Sequence, residues 1–227
     1  MFKSVWCLVV FFLLHTTLLA QFGIKGGLAV SALQSSSEDY SAVLGYEVAW
    51  LQHGTSNPVF GLQLGAFYTY KISDEFRFQP EIYFAQRGYR FDQTPLYNIN
   101  YSLRLNYLEL PLIIEYYLPL GWSFHPAITA GTYSSIKLSS NKTITLPNEE
   151  INGDVSSVSN FDYGVVFGIA TEFTAWNGDI VFDLRLNWGF ANVLLPPDHF
   201  ISLSDDPGTV KTRAITLLTG YRFNLDL

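Results

Sequence analysis

The chain has 227 residues, 48% of them hydrophobic, 16% aromatic and only 15% charged, which is too apolar and too aromatic for a disordered chain. One cysteine excludes a disulfide framework and a cysteine-based zinc site, and four histidines leave little material for a histidine-rich one. A net charge of -7, from 13 Lys and Arg against 20 Asp and Glu, argues against a nucleic-acid partner, because neutralising phosphates needs a basic face.

Residues 1–20 open with Lys3, continue through an apolar stretch from Val5 to Leu14, break at His15-Thr16-Thr17 and end at Leu18-Leu19-Ala20. This order predicts a secretory signal peptide cleaved before Gln21, leaving 21–227 as one domain. A membrane anchor would need about 20 uninterrupted apolar residues, which the polar break denies it. Cys7 leaves with the leader, and loss of Lys3 takes the net charge from -7 to -8. No later segment approaches 18 consecutive apolar residues, so a helical membrane protein is excluded.

From there the chain keeps a period of two. Phe60 to Ile72 places Phe60, Leu62, Leu64, Ala66, Tyr68, Tyr70 and Ile72 on one parity, with Gly61, Gln63, Gly65, Phe67, Thr69 and Lys71 on the other. Asp179 to Phe190 splits more cleanly, with Ile180, Phe182, Leu184, Leu186, Trp188 and Phe190 against Asp179, Val181, Asp183, Arg185, Asn187 and Gly189. Such alternation predicts strands with one apolar and one polar face. Six further segments alternate less strictly, at Phe22 to Leu33, Phe76 to Phe91, Ser102 to Leu118, Trp122 to Leu138, Phe161 to Phe173 and Lys211 to Leu225. Each reaches the roughly 9 to 11 residues that a tilted strand needs to cross a bilayer.

The connections alternate in length. Ser73-Asp74-Glu75, Pro119-Leu120-Gly121 and Ala175 to Gly178 read as tight turns, whereas 34–57, 92–101, 139–160 and 195–210 are long. Three short turns and four long loops, with both ends of the mature chain on the short side, predict an all-β fold: a single antiparallel up-and-down transmembrane barrel of eight strands in an outer membrane. Ala42 to Leu51 also alternates in part, so the first long loop has the pattern for an extra strand.

Alternation alone suits a soluble lipocalin-like barrel equally well, and side-chain volume separates the two. The apolar parity carries Phe60, Tyr68, Phe78, Phe84, Trp122, Phe124, Phe161, Phe167, Phe182, Trp188, Phe190 and Phe223, too much bulk for the lumen of eight strands. The polar parity is rich in glycine, which fits a crowded interior. Lys25, Lys71, Arg77, Glu81, Arg87, Glu109, Glu115, Asp162, Glu172, Asp183, Arg185 and Arg222 all fall on that polar parity. Buried together they need pairing, since an isolated charge in a narrow lumen costs several kcal/mol. They are therefore expected to form a structural charge network that plugs the barrel. Tyr68, Tyr70, Phe76, Tyr116, Trp122 and Phe173 would girdle one membrane interface, and Phe60, Phe161, Tyr163, Trp188 and Phe190 the other.

Several stretches resemble the PorT-like outer-membrane β-barrel family of Bacteroidetes. They are Gly23-Ile24-Lys25-Gly26-Gly27-Leu28, Gln79-Pro80-Glu81-Ile82-Tyr83, Leu105 to Leu112 with its NYLELP core, Gly164-Val165-Val166-Phe167-Gly168 and Gly220-Tyr221-Arg222-Phe223. The resemblance spans nearly all of the mature chain, and NYLELP is its most specific part. It implies an outer-membrane barrel of about this strand number, with a founding member linked to type IX secretion and most members of no known activity. The chain departs from it in ending with Asn224-Leu225-Asp226-Leu227 rather than at the aromatic residue, and in a long first loop.

A catalytic reading would rest on His53 and His199 in long loops and on His125, which alternates onto the polar face and reads as a satisfied lumen histidine. None has the spacing that builds a nucleophile, base and orienter. The loops are acidic, with Glu38, Asp39 and Glu47, then Glu149, Glu150 and Asp154, then Asp198, Asp205 and Asp206, but EF-hand spacing is absent. The expectation is a non-enzymatic outer-membrane barrel with no cofactor or metal. Its partners would be outer-membrane lipid and lipopolysaccharide, the outer-membrane assembly machinery and type IX secretion components. The alternatives are a barrel enzyme acting on lipid or lipopolysaccharide through loop His, Ser and acidic residues, and a soluble lipocalin-like binder.

Overall fold

In the computed structural model the described residues are 20–35, 55–92, 100–120, 124–155, 158–193 and 209–224. Residues 1–19, which hold most of the expected signal peptide, the segment 42–51, His53, His199, Trp122, the acidic residues of the first and last loops and Leu225 to Leu227 lie outside them. Nine strands form one antiparallel sheet: β1 (Ala20–Ser35), β2 (Thr55–Lys71), β3 (Phe76–Asp92), β4 (Asn100–Tyr117), β5 (His125–Leu146), β6 (Glu149–Asp154), β7 (Phe161–Ala175), β8 (Gly178–Gly189) and β9 (Val210–Phe223). The order is β4-β3-β2-β1-β9-β8-β7-β5, and β4 pairs with β5, so eight strands close on themselves. Closure leaves the barrel no open edge, which matters wherever no water can satisfy one.

The first and last barrel strands meet along their length, from Phe22 opposite Phe223 to Ser35 opposite Val210. The start of β1, the end of β9, the turns at 72–75 and Trp176-Asn177, and the facing ends of β4 and β5 share one end of the barrel, the turn end. Around the closing seam, the Asn224 N–H donates to the Asn177 carbonyl at 3.1 Å. Gln21 Nε2 donates to Asn224 Oδ1, so the first residue of the departing tail is tied to both neighbours.

Two features differ from the expected layout. The fifth strand runs on to Leu146 and turns at Pro147-Asn148 into β6, so the region expected as a long loop holds a two-stranded hairpin standing on the loop end. On β5 the register against β4 also slips by one residue between Asn106/Ser139 and Tyr107/Lys137, leaving Leu138 as an extra residue. That bulge reverses the parity of β5 beyond it, so Ile144 faces inward opposite Tyr101 although it shares sequence parity with the outward Ile136.

Outward side chains along the barrel wall are apolar and exposed, among them Ile24, Leu28, Leu62, Leu64, Ile82, Leu112, Ile114, Ile128, Phe167, Ile169, Leu184, Leu186 and Leu217. Exposure of so many large apolar groups is incompatible with water on that face and fits lipid. Phe22, Tyr68, Phe76, Tyr116, Phe173 and Phe223 ring the turn end, and Phe60, Phe161, Tyr163, Trp188 and Phe190 ring the other, all at least 37% exposed. Neighbouring rings pack together within each girdle: Phe76 and Tyr116 lie 4.9 Å apart, and Tyr163 and Phe190 6.4 Å.

The interior is not purely polar. Phe67, Tyr83, Tyr89, Tyr101, Tyr107, Tyr117 and Tyr133 are buried inside, against the expectation that aromatic bulk lies outside. Glycine makes the room. A Cβ on Gly23 would sit 2.2 Å from the Phe67 ring, and one on Gly65 would sit 2.5 Å from the Tyr83 ring and 2.0 Å from the Ile82 carbonyl oxygen. Gly65→Val is therefore expected to destabilise the barrel by about 1–3 kcal/mol through overpacking that backbone atoms cannot relieve. Urea titration of the refolded protein should show this as a lower unfolding midpoint, and an unchanged midpoint would contradict the fit.

Candidate functional site

The lumen is filled in levels, each built by side chains that alternate inward from several strands. At the turn end Glu172 on β7 receives both arms of Arg77 from β3, at 2.9 and 3.0 Å, and an ion pair from Arg222 on β9. Arg222 also reaches Asp179 at 2.9 Å. The Tyr117 hydroxyl stands 2.9 Å from Glu172 and 3.1 Å from Glu115, and the Arg77 guanidinium lies 3.9 Å over its ring.

At mid-barrel Lys25 on β1 bridges Asp183 at 3.0 Å and Glu81 at 3.4 Å, and Arg185 pairs with the same two carboxylates. Gln79 Nε2 donates to Glu81 at 2.6 Å, and the Thr69 hydroxyl donates to Gln79 at 3.0 Å. The side chains of Lys25, Glu81 and Asp183 have no solvent exposure at all. Lys25 further lies 4.5 Å from the centre of the Phe67 ring, a cation over a π face in a dry site.

Above it Arg87 on β3 pairs with Glu109 on β4, which also accepts from Ser135 at 3.2 Å and Gln63 at 3.4 Å. Arg87 lies 5.2 Å over Tyr133, whose hydroxyl meets Asp162 at 3.2 Å. Highest of all comes an apolar cap: Leu33, Tyr89, Tyr101, Leu103, Leu105, Tyr107, Val158, Val193 and Val210 form one buried cluster.

Of the residues expected in the charge network, Lys25, Arg77, Glu81, Arg87, Glu109, Glu115, Asp162, Glu172, Asp183, Arg185 and Arg222 face the lumen. Lys71 does not belong to it. It ends β2 at the rim with a side chain 45% exposed and pairs with Asp74 in the following turn at 2.7 Å, because water and a nearby carboxylate are available there. The hydrogen bond from Lys71 holds the Asp74 carboxyl below its ordinary range. Asp179 is the member that sequence reading missed: it stands next to the Trp176-Asn177 turn but is buried and bound to Arg222. Its signal was its place on the polar parity of β8.

His125 corrects another expectation. It opens β5 opposite Glu172 in register but is exposed at the turn end rather than buried in the lumen. The chain segments bearing His53 and His199 leave and re-enter the barrel at the opposite end. Among the described residues no group of three or more His, Cys, Asp or Glu side chains converges to hold a metal ion.

Among the described residues the buried charge network holds five cations (Lys25, Arg77, Arg87, Arg185, Arg222) and seven carboxylates (Glu81, Glu109, Glu115, Asp162, Glu172, Asp179, Asp183), a formal balance of 5 - 7 = -2. Hydroxyls of Tyr117 and Tyr133 meet the two carboxylates, Glu115 and Asp162, that have no ion pair here. Interlocked charges of this kind hold strands together across the lumen.

A closed eight-stranded barrel with a lipid-compatible wall, two aromatic girdles and a charged lumen is the geometry of an outer-membrane protein. A family model described as outer membrane protein beta-barrel domain matches residues 16–195. The chain belongs to that family. Among solved structures this outer-membrane barrel is similar to a major outer membrane protein of Thermus thermophilus, with 14% identity, a TM-score of 0.50 and coverage of 90% of this chain and 99% of that one. Neisserial surface protein A shows 16% identity and a TM-score of 0.41 over 91% of this chain and 99% of its own. Ail, the attachment invasion locus protein of Yersinia pestis, shows 15% and 0.40 over 91% and 100%. At such identities the likeness concerns the fold alone. No curated protein matches the sequence significantly. The outer-membrane setting places the short turns in the periplasm and the long connections, with the β5–β6 hairpin, outside the cell.

Proposed function

We propose that this is a sealed, non-enzymatic outer-membrane barrel of PorT-like type, exported by the leader at 1–20 and inserted by the outer-membrane assembly machinery. Its function is carried by the extracellular loops and hairpin, in surface interaction or in assembly with type IX secretion components. The observation that carries this reading is the stacked blockage of the lumen: three levels of interlocked charge beneath an apolar cap. A pore needs a continuous wet path, and a catalytic barrel needs a nucleophile and base within reach of each other. The described lumen supports neither, so activity falls to the surface the barrel displays.

In planar bilayers the purified protein is expected to show no stepwise conductance. A deletion strain should keep wild-type lipid A by mass spectrometry while losing either cargo secretion or surface attachment, with the wild-type gene restoring it. Replacing the hairpin at 141–154 with a two-residue turn should abolish that rescue although the protein still shifts on a gel when heated. A changed lipid A mass, restored by wild type but not by the combined His53→Ala, His125→Ala and His199→Ala variant, would overturn the reading in favour of an enzyme.

A further inference from the structure

Among the described residues, Trp176 alone of the non-glycine residues has a left-handed backbone, with φ of 51°. It opens the two-residue periplasmic turn between β7 and β8. For a bulky residue this region is an outlier, because the Cβ crowds the following carbonyl oxygen, and hairpin turns favour glycine, asparagine or aspartate there. The same side chain is 91% exposed, more than any other large apolar side chain described. The chain thus keeps an indole where its own backbone and water both disfavour it. Such local conflicts mark residues that serve something outside the fold.

The turn is held rigidly. The Tyr221 hydroxyl donates to the Ala175 carbonyl at 3.0 Å, and the Asn224 N–H donates to the Asn177 carbonyl at 3.1 Å, so both neighbours of Trp176 are tied to the end of β9. Gly178 closes the turn where nothing larger fits: a Cβ there would sit 2.1 Å from the Arg222 carbonyl oxygen. The girdle sets its height. Phe173 and Phe182, on the two strands that meet in this turn, face lipid and pack edge to face at 6.0 Å. Trp176 follows Phe173 by three residues, so at about 3.3 Å per residue and a tilt near 40° it lies at most about 8 Å further along the membrane normal. The headgroup layer is about 5–7 Å deep on each side, within reach of an indole projecting from the turn. Tyr221, whose ring packs on the lipid-facing Phe223 at 4.9 Å, brings its hydroxyl to the same height. A protein-docking patch would need more apolar surface beside the indole, whereas Asn177 and Asn224 are its neighbours.

We propose that Trp176 is a preset membrane anchor: its indole lies in the headgroup layer of the periplasmic leaflet and sets the depth of the barrel beside the β8–β9 edge of the closing seam. An indole suits that layer because its ring is apolar and its N–H needs a polar partner. Holding it on a clamped turn means that little conformational freedom is lost on insertion. The proposal rests on the outer-membrane placement and is independent of what the extracellular loops bind.

The test uses the full mature chain refolded in phosphatidylcholine vesicles, with Trp50, Trp122 and Trp188 replaced by phenylalanine so that Trp176 alone emits. Lipid brominated just beneath its headgroups should quench this emission by at least about half, and lipid brominated near the chain ends much less. Aqueous iodide should quench it less than it quenches the urea-unfolded chain. Trp176→Ala keeps a Cβ in the crowded backbone position and removes only the indole, so its urea midpoint in vesicles, followed by the gel shift, should fall below that of wild type. Emission untouched by brominated lipid would overturn the proposal, whether iodide reaches the indole, as in water, or is excluded, as by a protein contact. Stronger quenching from the chain ends, or an unchanged midpoint in Trp176→Ala, would also overturn it. Should the triple replacement fail to fold, the emission lost between wild type and Trp176→Phe supplies the same measurement: insensitivity of that difference to bromine overturns it.

Discussion

Glu81→Ala is expected to lower the unfolding free energy by about 3–5 kcal/mol, the cost of leaving buried charges without their counterpart. Glu81 receives Arg185, Lys25 and Gln79 in a site where its own side chain has no solvent exposure, so no water can replace the carboxylate. Asp183 remains, but one carboxylate then faces two cations. The loss should appear as a lower urea midpoint in phospholipid vesicles, followed by tryptophan fluorescence and the gel shift. Adding Arg185→Met leaves Lys25 and Asp183 as a balanced pair and should restore most of the stability, because the two sites are directly coupled. Lys71→Ala provides the contrast: its pair is open to water, and the midpoint should not move. A Glu81→Ala loss below about 1 kcal/mol would mean a hydrated lumen and would refute the sealed interior.

The second large effect tests a reversal of polarity along β4. Within the membrane, Leu110, Leu112 and Ile114 face outward, while Glu109 and Glu115 face the lumen. Beyond Tyr107 the order is inverted: Asn100, Ser102, Arg104 and Asn106 face outward, while Tyr101, Leu103, Leu105 and Tyr107 are buried inside. Leu112→Arg should cost about 2–4 kcal/mol, the penalty for a cation on the lipid face near the midplane. Leu103→Arg should also cost several kcal/mol, since it would bury an unpaired cation in an apolar cluster. Arg104→Leu, on the wet outer face, should be close to neutral. If Leu103→Arg were tolerated in the same vesicle titration, the interior would be polar throughout and the cap would not exist.

That reversal shows where sequence reading stops short. A period of two over Ser102 to Leu118 predicts one apolar and one polar face along the whole strand, yet the exchange of character lies within the NYLELP stretch itself: Asn106 outward, Tyr107 inward, Leu108 outward, Glu109 inward. A strand long enough to leave the membrane changes solvent partway, and the face that must be apolar changes with it. The charge network is readable because each member sits on the same parity as its neighbours in register. Lys71 departs from it because parity gives direction but not depth. Asp179 escapes notice because its closeness to a turn hides its inward side chain.

Composition and periodicity alone determined that this chain is an eight-stranded barrel with lipid outside and charge within. Alternation over a dozen residues selects a two-faced strand, the alternating connection lengths set the count of eight, and the bulk of the outward aromatic residues selects lipid over a ligand-filled interior. Which charges meet, where the lumen becomes apolar and how β5 runs on into a hairpin depended on barrel closure. These features follow from the stagger between strands far apart in sequence: Lys25 reaches Asp183 across 158 positions. The one-residue slip at Leu138, which turns Ile144 inward, likewise exists only in the pairing of β4 with β5. A period of two reports which face a residue occupies; only the closed sheet sets the height at which faces from different strands come together.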